Sequence, residues 1–189
     1  ISNGADDLVA ASDYILKLRN CGSLLVYGIS SGALRAAMFT ERHPERVSHL
    51  ALDAFVWTGE GSPTLEQRRK KLPEFSSSKR RSIDEKFVFS IFNRDHPDTV
   101  EKKVVLAFAK AIMSLDNSMP NGTYIDMCSK LPLVNPELIK VPTIIMRGQY
   151  DGIASFNDLD PLLTLFISAP NSFILNTFGD CLSISFSPI

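Results

Sequence analysis

The serine in the segment Gly28-Ile29-Ser30-Ser31-Gly32 has the setting in this sequence that best suits nucleophilic chemistry. The segment lies between a short apolar run and a helical pattern, so a sharp strand-to-helix turn would project the Ser30 hydroxyl outward. Such a turn needs a positive φ at Ser30, and we expect both glycines to prevent a collision between strand and helix. The N–H of Ser31 would then point toward the oxyanion that develops during acyl transfer.

The pattern around this turn alternates between helix and strand. Residues 6–19 place apolar side chains at intervals of three and four, which predicts an amphipathic helix, and a second helix is predicted between Gly32 and Pro44. Apolar runs predict strands at 23–27, 47–52, 141–146 and 173–175. The first run is typical of a strand that is buried on both faces. The order predicts an α/β fold with a partial, doubly wound and mostly parallel sheet.

Between residues 58 and 139 the pattern changes to successive helices without strands. Capping signals are present at Ser62-Pro63, Ser82–Glu85 and Asp98–Glu101. The third of these helices is predicted to bury one face, which contains Val104, Val105, Phe108, Ala111, Ile112 and Leu115. We interpret residues 58–139 as an inserted helical cap and residues 1–57 and 140–189 as the core. In the core, Pro161 is expected to interrupt a helix that starts at Ser155.

Composition limits the classes of partner. The chain has 189 residues, 44% of them hydrophobic, and a formal net charge of -1, which suits one globular domain and provides no basic field for nucleic acid. The basic segments 68–71 and 79–81 are interleaved with acidic residues, which favours a solvated helix face. The chain contains neither the apolar run of roughly 20 residues that a membrane helix needs nor a signal peptide. We therefore expect a soluble, cytoplasmic protein that acts on a small molecule, with its oligomeric state left open.

The three cysteines, Cys21, Cys128 and Cys181, have neither CxxC spacing nor a histidine at metal-ligand spacing. They are expected to be buried free thiols. The sequence therefore predicts no metal site, and no cofactor is expected.

The segment from Tyr27 to Phe55, together with the strand and loop from Val141 to Gly152, resembles the α/β-hydrolase family. The resemblance implies that Asp151 is the acid that orients a catalytic histidine, and Asp53 at the end of an earlier strand is the alternative. A serine at the turn, where the epoxide hydrolase and haloalkane dehalogenase branches have aspartate, implies an ester, thioester or related carbonyl substrate.

The resemblance also implies a catalytic histidine after the last strand, where this sequence has Asp180 instead. An aspartate is a poor base toward a serine hydroxyl, because its unperturbed pKa is near 4. Of the three histidines in the sequence, His43 and His49 are expected at the opposite end of the sheet from Ser30, and His96 belongs to the predicted cap.

The family's first strands, and the loop that gives a second oxyanion donor, would precede residues 6–19 and are missing from this sequence. We therefore expect an incomplete or altered sequence of an active serine hydrolase. The alternative is a non-catalytic relative that binds a ligand or a partner. The apolar side chains Trp57, Phe87, Phe92, Phe108 and Met127 are expected either to roof a pocket or to pack the cap on the core.

Overall fold

The computed structural model describes residues 1–98, 100–165, 173–178 and 181–186. Its strands are β1 (Leu24–Ile29), β2 (Val47–Asp53), β3 (Arg80–Ser82), β4 (Ser118–Pro120), β5 (Thr143–Gly148), β6 (Phe173–Phe178) and β7 (Cys181–Phe186). Its α-helices are α1 (Ser2–Arg19), α2 (Ser31–Arg42), α3 (Pro63–Lys70), α4 (Leu72–Ser76), α5 (Glu85–Asn93), α6 (Lys102–Leu115), α7 (Gly122–Ser129) and α8 (Phe156–Leu165). The chain divides into two compact units, which we call the sheet unit (Ile1–Leu65 and Lys130–Ile189) and the helical unit (Glu66–Ser129).

The sheet unit is built on five strands in the order β1-β2-β5-β6-β7. The first four are parallel and β7 is antiparallel to β6, which confirms the predicted α/β class with a mostly parallel sheet. Ile29 pairs with Asp53, and Asp53 pairs with Met146, so the carboxyl ends of β1, β2 and β5 meet at one edge. The residues that follow these strands are therefore brought toward one another.

Helix α2 packs on one face of this sheet. Its small and apolar side chains Ala33, Leu34, Ala36 and Ala37 are buried, and so are Leu50 and Leu52 of β2, one of the two strands that α2 contacts. Helix α1 packs against α2 and ends at Asn20, whose φ of 50° is the left-handed conformation that commonly stops a helix.

The prediction that β1 is buried on both faces is wrong. Leu25, Tyr27 and Ile29 are 78%, 59% and 56% exposed. Side chains alternate between the two faces of a strand, and these three point away from the face that packs on α2. An apolar sequence alone therefore did not report which faces of the strand are covered.

The expected interruption at Pro161 is also absent, because α8 runs through it from Phe156 to Leu165. A proline within a helix removes the donor to the carbonyl four residues earlier, here that of Asn157. Both Asn157 and Pro161 are exposed, so this loss occurs at the surface of the helix.

The helical unit contains a feature that the sequence did not predict: β3 and β4 form an antiparallel pair, with Arg81 opposite Met119.

The three predicted capping segments have different outcomes. The predicted cap at Ser62 is confirmed, since its hydroxyl accepts a hydrogen bond from the Leu65 N–H at 3.2 Å. The N-cap of α5 is Asp84 rather than Ser82, and it accepts from Phe87 N–H at 2.8 Å. Helix α6 begins at Lys102, after the predicted capping segment.

The buried face of α6 differs from the predicted one. Val105 and Ala109 are buried against Val88 of α5, with Ile112 and Met113 beside them. In contrast, Val104, Phe108 and Leu115 are exposed. The apolar residues of α6 lie on a wider face of the helix than α5 can cover, so their spacing alone did not indicate which of them are buried. Within the described ranges, no helix combines the length and the apolar character that a membrane crossing requires.

Candidate active site

Ser30 occupies the turn between β1 and α2 at the aligned edge of the sheet. Its φ of 55° and ψ of -124° give the positive φ that the sequence predicted. The Ser30 N–H donates to the Asp53 carbonyl at 2.8 Å, and its own carbonyl accepts from the Ala33 N–H at 3.0 Å. Both bonds use the backbone, so the turn is held from two sides while the residue remains exposed.

The two glycines that flank this turn have different roles. A Cβ at Gly28 would lie 2.5 Å from the Gly32 carbonyl oxygen, 2.7 Å from Ala36 Cβ and 2.8 Å from Ala33 Cα. A Cβ at Gly32 would meet nothing within 4 Å. The prediction that both glycines prevent a collision is therefore right for Gly28 and wrong for Gly32. The reason is that β1 and α2 approach each other most closely at Gly28, where the strand passes beneath the first turns of the helix.

Ser31 is the first residue of α2, where a backbone N–H has no acceptor within the helix. The amino end of a helix also carries a partial positive charge, which favours an anion. The Arg35 guanidinium donates to Ser31 Oγ at 3.2 Å, which places a full positive charge one turn from Ser30. The sequence interpretation missed Arg35, although its position four residues after Ser31 on one helix was the available signal.

Asp151 lies in the loop after β5. Its Oδ1 accepts hydrogen bonds from the N–H groups of Ile153 at 2.8 Å and Ala154 at 2.9 Å. The buried Arg147 guanidinium donates to the carbonyl oxygen of Ala154 and, at 3.4 Å, to that of Asp151. Among the described residues Asp151 Oδ2 has no partner. The carboxylate therefore closes its own loop with one oxygen and leaves the other available.

Asp53 is at the end of β2, and its Oδ2 accepts a hydrogen bond from the Tyr27 hydroxyl at 2.9 Å. This hydrogen bond raises the pKa of Tyr27, with smaller contributions from desolvation and from the Asp53 charge. The hydrogen bond between Tyr27 and Asp53 is a second contact that the sequence did not predict, because it joins residues that are 26 positions apart on two neighbouring strands.

The two histidines of the sheet unit lie far from Ser30, as the sequence predicted. His43 caps the carboxyl end of α2, about 18 Å along a 12-residue helix from its start. His49 pairs with Leu25, five residues before Ser30 and thus about 16 Å away along the strand direction. His96 belongs to the helical unit. Asp180, where the resemblance implies a histidine, lies outside the described residues.

No group of three or more His, Cys, Asp or Glu side chains in the described ranges could hold a metal ion. Cys21 is exposed, contrary to the prediction that it is buried, because it follows α1 in the polar turn before β1. Cys128 is buried as expected, and burial raises the pKa of its thiol. The side chain of Cys181 lies outside the described residues.

Comparison with known proteins shows which fold this is. No protein-family profile matches the sequence, and no curated protein matches it. Among solved structures, E-2-(acetamidomethylene)succinate hydrolase matches with a TM-score of 0.62 at 16% identity, over 93% of this chain and 64% of that one. An esterase from Exiguobacterium antarcticum matches with a TM-score of 0.59 at 16% identity, over 91% and 63%.

A third match is an alpha/beta hydrolase enzyme from a deep-sea metagenome library of the Medee basin. Its TM-score is 0.53 at 15% identity, over 89% of this chain and 62% of that one. This chain has the α/β-hydrolase fold. It spans 62 to 64% of the length of these three structures.

Proposed function

We propose that the protein is a serine hydrolase that cleaves an ester, thioester or related carbonyl substrate through an acyl-enzyme on Ser30. The observation that carries this proposal is the backbone of Ser30, an exposed non-glycine residue with a φ of 55°. A side chain in that region of φ costs about 1–3 kcal/mol, and such strain is concentrated at functional sites. Gly28 allows the close approach of β1 and α2 that the turn needs.

In the proposed reaction, Ser30 Oγ attacks the carbonyl carbon of the substrate and loses its proton to a base. The carbonyl oxygen becomes an oxyanion, which the N–H of Ser31 at the start of α2 stabilises. The Arg35 guanidinium adds positive charge to the same end of the helix. Collapse of the intermediate breaks the bond to the leaving group, which takes up the proton, and water then releases the acyl group by the same steps in reverse order.

The base in this scheme is a histidine, which this chain lacks at the position where the resemblance implies one. We propose Asp151 as the acid that orients this histidine. Asp151 Oδ2 has no partner among the described residues, while Oδ1 fixes the carboxylate through two backbone N–H groups. An acid that holds an imidazole needs such a fixed carboxylate with one free oxygen. Asp53 is less suitable, because its Oδ2 already accepts from Tyr27.

A non-catalytic, ligand-binding or partner-binding protein is the second candidate. It is favoured by the positions of His43 and His49, which lie about 16 to 18 Å from the turn along α2 and β1. A serine without a base is a weak nucleophile. That residues 58–139 cap an active site, and that their aromatic side chains roof a pocket, both remain predictions.

A fluorophosphonate probe tests the proposal, since it reacts with activated serines and leaves a mass tag on the modified residue. We expect labelling at Ser30, its loss in Ser30→Ala, and unchanged labelling in Ser23→Ala, which removes a serine just before β1. Hydrolysis of p-nitrophenyl esters should fall roughly a thousandfold or more in Ser30→Ala.

A second comparison separates the two acids. Asp151→Asn should lower kcat by a factor on the order of a thousand or more, whereas Asp53→Asn should change it far less. If the folded protein neither labels at Ser30 nor hydrolyses the esters, the enzymatic proposal is wrong and the binding protein is favoured.

A further inference from the structure

Two arginines of the helical unit stack on one tyrosine. The Cζ atom of Arg81 lies 3.7 Å from the centroid of the Tyr124 ring, and that of Arg68 lies 4.2 Å from the same centroid. The two guanidinium groups are therefore no more than about 8 Å apart, a distance at which like charges repel in a partly buried site. The sequence interpretation of both basic segments as a solvated face is wrong for these two side chains, which are half-buried.

No carboxylate in the described part of the chain forms an ion pair with either arginine. The Arg68 guanidinium makes no hydrogen bond to the described residues. Arg81 donates from Nη1 to the Pro120 carbonyl at 3.2 Å and to Asn121 Oδ1 at 2.9 Å. Among the described residues, its Nη2 donates only to the weak acceptor Met119 Sδ, and its buried Nε has no hydrogen-bond partner. An unpartnered buried donor of a charged group is costly.

The electrostatic surroundings add to this excess of positive charge. Burial lowers the pKa of Arg68, and the nearby Arg94 and Arg81 lower it further, whereas Tyr124 and Cys128 act in the opposite direction. The Arg94 charge is paired with Asp95 at 2.9 Å. We call Arg68, Arg81, Arg94 and Tyr124 the arginine cluster. Arg68 and Arg81 are thus the cations of this cluster that lack a counter-charge among the described residues.

The cluster is also held in place. Arg81 is in β3, which pairs with β4, and the Tyr124 ring packs edge-on against Phe75 at 5.2 Å. Next to Arg68 on α3, Arg69 donates from Nε to the Cys128 carbonyl at 3.3 Å, which links α3 to α7. A fixed pair of guanidinium groups can bind an anion with little further loss of conformational entropy.

We propose that Arg68 and Arg81 form a binding site for a small oxyanion, namely the carboxylate or phosphate group of a ligand. Guanidinium groups donate paired N–H bonds that match the oxygens of both groups. An oxyanion in contact with Arg68 and with Nη2 of Arg81 would offset the repulsion between the two cations and would give Nη2 a stronger acceptor than Met119 Sδ. The site does not depend on the role of Ser30.

Nitrogen–proton spectra of the arginine side chains test this site on the intact chain. Inorganic phosphate and acetate are titrated separately at constant ionic strength, with chloride as the reference. We expect saturable shifts of the Arg68 and Arg81 Nε–H signals together. Saturation by phosphate alone identifies a phosphate site, saturation by acetate alone identifies a carboxylate site, and saturation by both identifies a general oxyanion site.

Substitutions give the second measurement. Arg68→Gln and Arg81→Gln should each weaken binding roughly tenfold or more, since each removes a charged donor. Lys70→Gln removes the same charge from the exposed face of α3 and should leave the affinity within about twofold, because exposed charges are strongly screened.

Circular dichroism checks that the variants fold. If either fails to fold, the decision rests on the native protein. Shifts that do not saturate, that chloride reproduces, or that involve only the other arginines would refute the proposal. Folded Arg68→Gln and Arg81→Gln variants that both bind as tightly as the unsubstituted protein would refute it too.

Discussion

The sharpest test of the strand-to-helix turn is the substitution Gly28→Ala, because the new Cβ would lie 2.5 Å from the Gly32 carbonyl oxygen and 2.8 Å from Ala33 Cα. Both atoms belong to the backbone, so β1 and α2 must separate. Overpacking of this kind costs about 1–3 kcal/mol. Alanine also lowers the conformational entropy of the unfolded chain relative to glycine, which offsets about 0.4–1 kcal/mol of this cost. We expect a net loss of about 1–2 kcal/mol in the free energy of unfolding.

The matched control is Gly32→Ala, four residues along the chain. Its Cβ would meet nothing within 4 Å, and position 32 is helical, so alanine should stabilise the protein by about 0.5–1 kcal/mol. The two variants should therefore differ by about 2 kcal/mol in urea unfolding, or by about 4–8 °C in Tm for a chain of this length. A neutral Gly28→Ala, or equal losses in both variants, would refute the close approach of β1 and α2.

Two further predictions concern the carboxylates. Asp158 is 1% exposed and accepts bonds from the N–H groups of Trp57, Thr58 and Gly59. Asp158→Ala should therefore cost about 3 kcal/mol or more in urea unfolding, and a loss below about 1 kcal/mol would contradict this. The pKa of Tyr27 is raised above 10.0, so its hydrogen bond to Asp53 is present at neutral pH. This hydrogen bond is lost as the pH rises through the raised pKa. The tyrosinate absorbance of the native protein minus that of Tyr27→Phe should show this midpoint, and Asp53→Ala should lower it toward 10.0. An unchanged midpoint would exclude Asp53 as the cause.

Local patterns predicted the frame that holds Ser30, because the alternation of apolar runs and amphipathic stretches follows directly from how strands and helices present side chains. The bounds of α2 and β2 agree with the predicted ones to within a few residues. The positive φ of Ser30 was also predictable, since the motif has one geometry between a strand and a helix.

Features that depend on a specific neighbour could not be predicted in this way. The different roles of Gly28 and Gly32 come from the crossing of β1 and α2, which composition does not encode. The exposure of Leu25 depends on what covers the second face of β1. The stacking of Arg68 and Arg81 on Tyr124 joins three segments that are distant in sequence, so the charge pattern of each segment alone indicated a solvated face.

The turn at Ser30 has two possible reasons to exist, and they make different demands on the chain. Close packing of β1 on α2 requires Gly28, and the bond from the Ser30 N–H to the Asp53 carbonyl requires only the backbone of residue 30. Packing therefore explains the shape of the turn but not a serine with a positive φ, which asparagine or glycine would adopt at lower cost. Nucleophilic attack does require the hydroxyl, but it also requires a base. His43 lies at the carboxyl end of α2, and His49 lies on β2 opposite Leu25 near the start of β1, so both are far from Ser30. The reactivity of Ser30 thus decides between the two proposed functions more directly than any further property of the fold.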